Sequence, residues 1–218
     1  MLFRIWTTKD TEIRPFPNAL RDPPTVAAMI GVYREVFGAD PWNEWKQCPL
    51  CDASFGRYHR GNVCTACHGK RILLVEYWSR DRVAKKLYSE LAKVGAECLL
   101  SYADEGVCGF AWGYEIDIDE VFARHIEAQH LYHAYPDRNC FYVSEVGVLR
   151  NYRKQGVGRR LFDGLIEPNL HRLIVLRTLE GSPMFKLVTS EGFKVAERLN
   201  DGRVIMALEP DETAKAAQ

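Results

Sequence analysis

Apolar residues recur along the chain at two spacings, and the switches between them mark out its elements. Val26, Met29, Ile30, Tyr33 and Phe37 follow helical spacing over Pro24 to Phe37, with proline near the start. Val83, Leu87, Leu91 and Val94 repeat that spacing over Asp81 to Val94, where Asp81 is placed to cap the helix. Elsewhere the runs are short and β-like. Phe3 to Thr7 predicts a strand, as do Glu97 to Tyr102 and Val107 to Ile116, joined by an Asp104-Glu105-Gly106 turn. Asp119 to Tyr132 is helical in pattern, Phe141 to Val148 is a strand, and a helix opens over Gly158 to Leu165. Leu173 to Leu176 predicts a short buried strand, and Pro183 to Ser190 a helix closed by Gly192. Phe193 to Arg198 and Val204 to Leu208 form a hairpin around Asn200-Asp201-Gly202. Residues 210–218 read as a polar, flexible tail. The alternation of strands and helices predicts a mixed α/β layer fold.

The segment 42–71 breaks these patterns and is rich in Cys, Gly and basic residues. It reads as an insert in one domain that otherwise spans 1–218. Lys and Arg total 29, as do Asp and Glu, so the formal charge is +0. That balance argues against a general nucleic-acid binder, which carries a basic excess. No apolar run approaches the roughly 18 residues that span a bilayer, and the first residues lack a cleavable leader pattern. These features predict a cytoplasmic protein with no membrane partner.

Seven cysteines fall into two groups. Cys98, Cys108 and Cys140 are isolated in apolar surroundings and read as buried thiols. The other four form Cys48-Pro-Leu-Cys51 and Cys64-Thr-Ala-Cys67, twelve residues apart. This is the spacing of a structural zinc ribbon or knuckle, each pair clamping one side of a tetrahedral ion. Four thiolates leave no open position for catalysis. His59 and His68 are alternative ligands that four sulfurs make unnecessary. Phe55, Arg57, Tyr58, Arg60, Lys70 and Arg71 make the insert basic and aromatic, which suits contact with RNA or a protein partner. The simpler role is a metal staple for a segment too small to have a core.

The most informative stretch runs from Phe141 to Leu161. A strand leads into a glycine turn, Arg153-Lys154-Gln155-Gly156-Val157-Gly158-Arg159, and the turn opens a helix. A helix N-terminus offers unpaired N–H groups and a partial positive charge, and glycine lets that backbone close on an anion. With Arg153, Lys154, Arg159 and Arg160 nearby, the arrangement suits a pyrophosphate. A P-loop is excluded because no Gly-Lys-Ser/Thr follows, and a Rossmann fingerprint lacks its third glycine.

Arg153-x-x-Gly156-x-Gly158, between a strand and an amphipathic helix, resembles the acetyl-CoA signature of the GNAT superfamily of N-acetyltransferases. The resemblance extends to Val107–Tyr114 as that family's third strand and to Leu173–Leu176 as the strand that splays from its neighbour. It also covers Ser182–Phe193 as the last helix with its closing Gly-Phe. It implies a mixed, mostly antiparallel sheet flanked by helices. It also implies that Val146, Gly147 and Val148 hydrogen-bond the pantetheine arm, while the loop from Lys154 to Arg159 holds the pyrophosphate. The implied activity is acetyl transfer from acetyl-CoA to a primary amine, on a small molecule or a protein.

Such transfer needs a proton acceptor, a polarised thioester and a stabilised thiolate. The resemblance puts an acidic residue at Glu145, as base directly or through water, or as a group that only orients substrate. The family often has a tyrosine four residues before the Gly-Phe glycine; here that position is Val188. Thr189, Ser190, Tyr152 and Tyr142 are alternative donors, or the thiolate leaves unassisted. Tyr114, Glu115, Asp117, Asp119, Glu120, His125, His130 and His133 fill the region that often lines the acceptor pocket. The missing tyrosine also leaves room for a different reading, an acyl-CoA sensor whose zinc unit recruits a partner.

Overall fold

A computed structural model describes residues 7–8, 11–16, 22–67, 70–104, 106–118, 120 and 139–210. The expected helix over Asp119–Tyr132 (bar Glu120), the tail over 211–218, and His68, His125, His130 and His133 lie outside them.

The chain order begins with β1 (Thr7–Thr8), β2 (Thr11–Pro15) and helix α1 (Pro23–Gly38). Three two-residue strands follow: β3 (Lys46–Gln47), β4 (Ser54–Phe55) and β5 (Val75–Glu76). Then come α2 (Arg80–Leu91), β6 (Glu97–Ala103), β7 (Gly106–Asp117), β8 (Asn139–Val148) and α3 (Val157–Ile166). The chain closes with β9 (Ile174–Leu179), α4 (Pro183–Ser190), β10 (Lys194–Arg198) and β11 (Arg203–Leu208). The helix α2 starts one residue before the expected Asp81, and its cap is Ser79, whose Oγ accepts from Arg82 N–H at 3.3 Å.

An eight-stranded sheet runs β1-β2-β6-β7-β8-β9-β11-β10. Among the described residues its only parallel neighbours are β8 and β9; the other pairs are antiparallel. On one face α3 and α4 cover Phe141, Val143, Ile174 and Met206. On the other, α1 and α2 pack on Leu100, Phe110 and Trp112 through Met29, Tyr33, Val83 and Leu87. The apolar stripes read from the sequence are therefore the two inner faces of a helix–sheet–helix sandwich. The mixed α/β, mostly antiparallel architecture follows from them. Cys98, Cys108 and Cys140 are buried in it, and burial pushes the Cys98 and Cys140 thiols up to about 12.

Two irregularities in β8 position the site. The parallel pairing with β9 covers only Phe141↔Ile174, Tyr142↔Val175 and Val143↔Leu176, although β8 continues to Val148. The strands splay there, leaving residues 144–148 with β7 on one side and an open edge on the other. The second irregularity is a bulge. Trp112 pairs with Glu145 but Gly113 pairs with Val143, so Ser144 is the extra residue. Simple alternation would place Ser144 and Glu145 on opposite faces. The bulge turns both side chains toward α1 and α2.

The strands β3, β4 and β5 form a separate small sheet in the order β4-β3-β5. Its core is only Cys48, Cys64 and Leu74, with Phe55, Cys67 and Ile72 around them.

Candidate functional site

Two adjoining cavities open where β8 leaves β9. The first is a groove of about 460 Å³ between the end of β8, the turn before α3 and the start of α4. Its lining includes Val146, Gly147, Val148, Arg153, Lys154, Gly156, Gly158 and Arg159, with Val36, Met184 and Leu187 opposite. Gln155 and Val157 belong to the same turn; Val157 is buried against the core, while Gln155 is exposed and its side chain donates to Asn151 O at 2.9 Å. Lys154 and Gly156 both take left-handed backbone, at φ 62° and 77°. This curls the chain so that the first turn of α3, with its leading N–H groups, starts at the groove, where Gly156, Gly158 and Arg159 are lining residues. The first intrahelical bond, Arg160 N–H to Gly156 O at 3.0 Å, comes only after them. No protein atom lies within 4 Å of where a Gly156 side chain would start. Gly147 has another cause: a Cβ there would sit 2.4 Å from the Phe110 ring.

The basic side chains of this turn differ in direction. Arg153 anchors the turn, donating from Nε to Val148 O at 2.9 Å. Arg159 pairs with Glu191 and donates to Ser190 Oγ. Lys154 is exposed. Arg160 does not line the groove; it turns back to Thr11 Oγ1 at 2.6 Å.

The second cavity, about 480 Å³, lies on the α1/α2 side of β8. Glu145 borders it while the next residue, Val146, lines the groove, and Trp42 lines both. Glu145 is the centre of a polar network. Tyr33 OH donates to its Oε1 at 3.1 Å, and Lys86 Nζ lies 3.2 Å from the same oxygen. Lys86 also pairs with Glu90 at 2.6 Å. Trp112 Nε1 and Ser144 Oγ donate to the other Glu90 oxygen, at 2.8 and 2.7 Å. One ammonium thus serves two carboxylates. Burial, together with the Glu90 charge, raises the Glu145 carboxyl to about 7 against the opposing pull of Lys86. Its side chain still keeps 17% of its surface exposed, so the group is desolvated yet reachable. Burial likewise raises the Tyr33 hydroxyl well above its ordinary value, and Glu145 adds to this.

The remaining wall is aromatic and charged: Tyr77, Trp78, Tyr114, Tyr142, Glu44, Arg177 and Arg203. Of the residues expected to line an acceptor region, Tyr114 and Glu120 do so. Glu115 instead pairs with Arg172 at 2.7 Å. Among the alternative proton donors, Tyr142 lines the second cavity, and Tyr152, Thr189 and Ser190 line neither of the two. Val188 is completely buried in the core, so its position faces inward and not into the groove. Thr189 and Ser190 donate to the α4 carbonyls of Phe185 and Leu187.

Sequence reasoning missed Tyr33, Lys86, Glu90, Glu44 and Trp78. One signal was present: Lys86 and Glu90 stand four apart beside the apolar stripe of α2.

A model of the acetyltransferase (GNAT) family matches residues 69–178. The chain belongs to the GNAT family. It is therefore an acetyl-CoA-dependent N-acetyltransferase. Solved structures share its fold. A Pyrococcus horikoshii protein is similar over 92% of this chain and 99% of its own, with TM-score 0.59 and 15% identity. The yncA protein of Salmonella typhimurium, solved with its cofactor acetyl-CoA, covers 94% and 96%, with TM-score 0.55 and 16% identity. The paia N-acetyltransferase of Thermoplasma acidophilum, solved with coenzyme A, covers 91% and 98%, with TM-score 0.53 and 15% identity. No curated protein matches the chain in sequence. Among the described residues of this GNAT chain, no helix is long and apolar enough to cross a membrane.

The four paired cysteines also come together. Their sulfurs all lie within 4.8 Å of one another, with Cys48–Cys67 at 3.6 Å and Cys51–Cys64 at 3.7 Å. A tetrahedral ion with metal–sulfur bonds of about 2.3 Å needs sulfurs roughly 3.8 Å apart. His59 is not among them; its Nε2 faces Val63 O at 3.5 Å.

Proposed function

We propose that the chain acetylates a primary amine held in the second cavity, with acetyl-CoA in the groove and Glu145 as general base. The observation that carries this reading is the junction at Glu145 and Val146, where consecutive residues of one strand border the two cavities. In this reading Val146, Gly147 and Val148 offer the open edge of β8 to the pantetheine arm. The turn from Arg153 through Lys154, Gln155, Gly156, Val157 and Gly158 to Arg159 holds the pyrophosphate, mainly through main-chain N–H groups. Apolar Val36, Met184 and Leu187 complete the fit.

Glu145 near pH 7 is poised between its two forms, which suits a base working on an amine at neutral pH. It takes a proton from the amine as the nitrogen attacks the thioester carbon. The C–N bond forms, the C–S bond breaks, and the thiolate collects its proton from solvent. Unassisted departure is reasonable because a thiol ionises near 8.5, and no side chain of α4 is placed as an acid. Lys86 and Tyr33 position the Glu145 carboxylate. The surplus negative charge of the Glu145–Lys86–Glu90 cluster favours a cationic amine on arrival. Screening amines with acetyl-CoA and detecting released thiol tests the proposal. Tight acetyl-CoA binding with no turnover on any amine would point to the sensor reading instead.

The four-cysteine cluster fits a structural Zn2+, held by Cys48, Cys51, Cys64 and Cys67. Four thiolates suit a soft or borderline ion and close its shell. Its role would be to order the insert over residues 42–71. Metal analysis of protein purified without added metal should find one zinc per chain, lost when the four cysteines become serine.

A further inference from the structure

The cysteine unit and the second cavity are continuous in the chain. The strands β3 and β5, which enter and leave the unit, pair through Lys46↔Glu76 and Gln47↔Val75. This pairing continues into the cavity. Tyr77 N–H donates to Trp45 O at 3.1 Å, and Trp78 Nε1 donates to Glu44 Oε2 at 2.8 Å. Glu44 is itself buried and tied to β11 by Arg203, at 3.3 Å. Trp42 and Glu44 on the way in, and Tyr77 and Trp78 on the way out, all line the cavity.

Trp45 joins the two parts. Its ring lies on Gly38 at the end of α1, where a Cβ would sit 2.5 Å from it. Arg34 and Arg57 lie over the ring at 5.0 and 5.1 Å. The Arg57 side chain also pairs with Glu35, and its main-chain N–H donates to Gly38 O at 3.1 Å; Arg34 pairs with Glu76 at 3.1 Å. On the far side of the unit the chain is held by Cys48 N–H to Ala53 O and Cys64 N–H to Ile72 O, at the cysteines themselves.

We propose that the metal unit is the acceptor-side wall of the active site: ion occupancy sets the order of Trp42, Glu44, Tyr77 and Trp78, and so amine binding, while acetyl-CoA binding, whose groove shares only Trp42 of these four, is largely retained. This rests on the zinc and acceptor readings above, but it goes further than a staple. A core of two cysteines and a leucine cannot order 30 residues, so metal binding supplies the folding free energy of the unit. Trp42 and Trp78 pack on the α1/α2 core and Glu44 N–H donates to Phe37 O at 2.8 Å, but the two ends of the wall are joined to each other through β3 pairing with β5. The groove, in contrast, is built mainly from β8, α3 and α4, which rest on the large core.

The test uses the full chain and needs no known acceptor. Metal content is measured first. Hydrogen exchange is then compared for the protein as purified and after stripping with a mercurial and a chelator. The expected result is exchange faster by on the order of tenfold or more in peptides carrying the Glu44 and Tyr77 amides, with 141–148 unchanged. Calorimetric affinity for acetyl-CoA should be retained. Faster exchange confined to 46–67 would overturn the proposal, as would parallel loss of acetyl-CoA affinity. In a second arm, Trp45→Ala should keep the metal yet loosen the same two peptides. If the protein as purified holds no metal, the zinc reading fails and ion control of the wall fails with it; a metal-bearing protein in which neither stripping nor Trp45→Ala loosens the two peptides overturns the proposal alone.

Discussion

The groove and the acceptor cavity are neighbours of similar volume, but they are built in opposite ways. The groove takes much of its lining from one continuous stretch, 146–159, and offers the main chain of the open β8 edge and the glycine turn beside the side chains of Arg153, Lys154 and Arg159. The second cavity, proposed to hold the acceptor, draws on α1, α2, β7, β8, β9, β11 and both ends of the small sheet, and side chains supply its Glu145–Lys86–Glu90 network. Main-chain sites depend on backbone shape and tolerate side-chain changes. Side-chain sites depend on identities brought together from far apart. Substitutions should therefore hurt the two cavities by different rules.

The largest effect is expected at Gly156. Its φ of 77° suits glycine, and a valine there would strain the turn and fill the open space above it. Gly156→Val should lower acetyl-CoA affinity by roughly 10²-fold or more, about 2.8 kcal/mol, and erase the rise in Tm that the ligand gives. Calorimetry and thermal scans check this, and undiminished affinity would mean the main chain here does not hold the cosubstrate.

Glu145→Gln should act on turnover alone. A loss on the order of 10² in kcat with unchanged acetyl-CoA affinity fits removal of a general base. The pH profile gives the sign. The carboxyl is raised to about 7, and the base works only when deprotonated, so kcat/KM should climb as pH rises through about 7. Lys86 holds that value down, so Lys86→Met should move the climb to higher pH. Glu145→Gln should abolish it, and a profile identical in all three proteins would remove Glu145 from the chemistry.

A tyrosine restored at position 188 should not repair anything. Val188 is fully enclosed by the core, so Val188→Tyr should overpack it, costing about 1–3 kcal/mol with no gain in rate. Denaturant titration and steady-state rates report both; a faster, equally stable variant would show that α4 can present an acid after all.

The smallest effect is expected at Arg159. It lines the groove but is tied up with Glu191 on the surface. Arg159→Ala should change acetyl-CoA binding by about 1 kcal/mol or less, and less still at high salt. A loss as large as that at Gly156 would mean that side-chain charge, and not main chain, dominates the groove.

The sequence by itself determined the layered α/β architecture, the glycine turn and the family. It also brought out the two cysteine pairs. Each of these depends on spacing within a short stretch: apolar periodicity, a strand–turn–helix order, or Cys-x-x-Cys. Even Arg160, counted with the basic groups of the turn, was misassigned only in direction, because the helix carries it round to Thr11. Tertiary structure decided the rest. Glu145 faces the second cavity because Ser144 is a bulge, which requires Gly113 to pair with Val143, some 30 residues away. Burial raises its carboxyl and the Glu90 charge adds to this, while Lys86 and Tyr33, arriving from the two helices, hold it down. The cysteine unit meets that cavity because β3 and β5, on either side of the four cysteines, pair with each other. Local patterns are written in adjacent residues, whereas burial, charge pairing and strand register are properties of chain segments that only folding brings together.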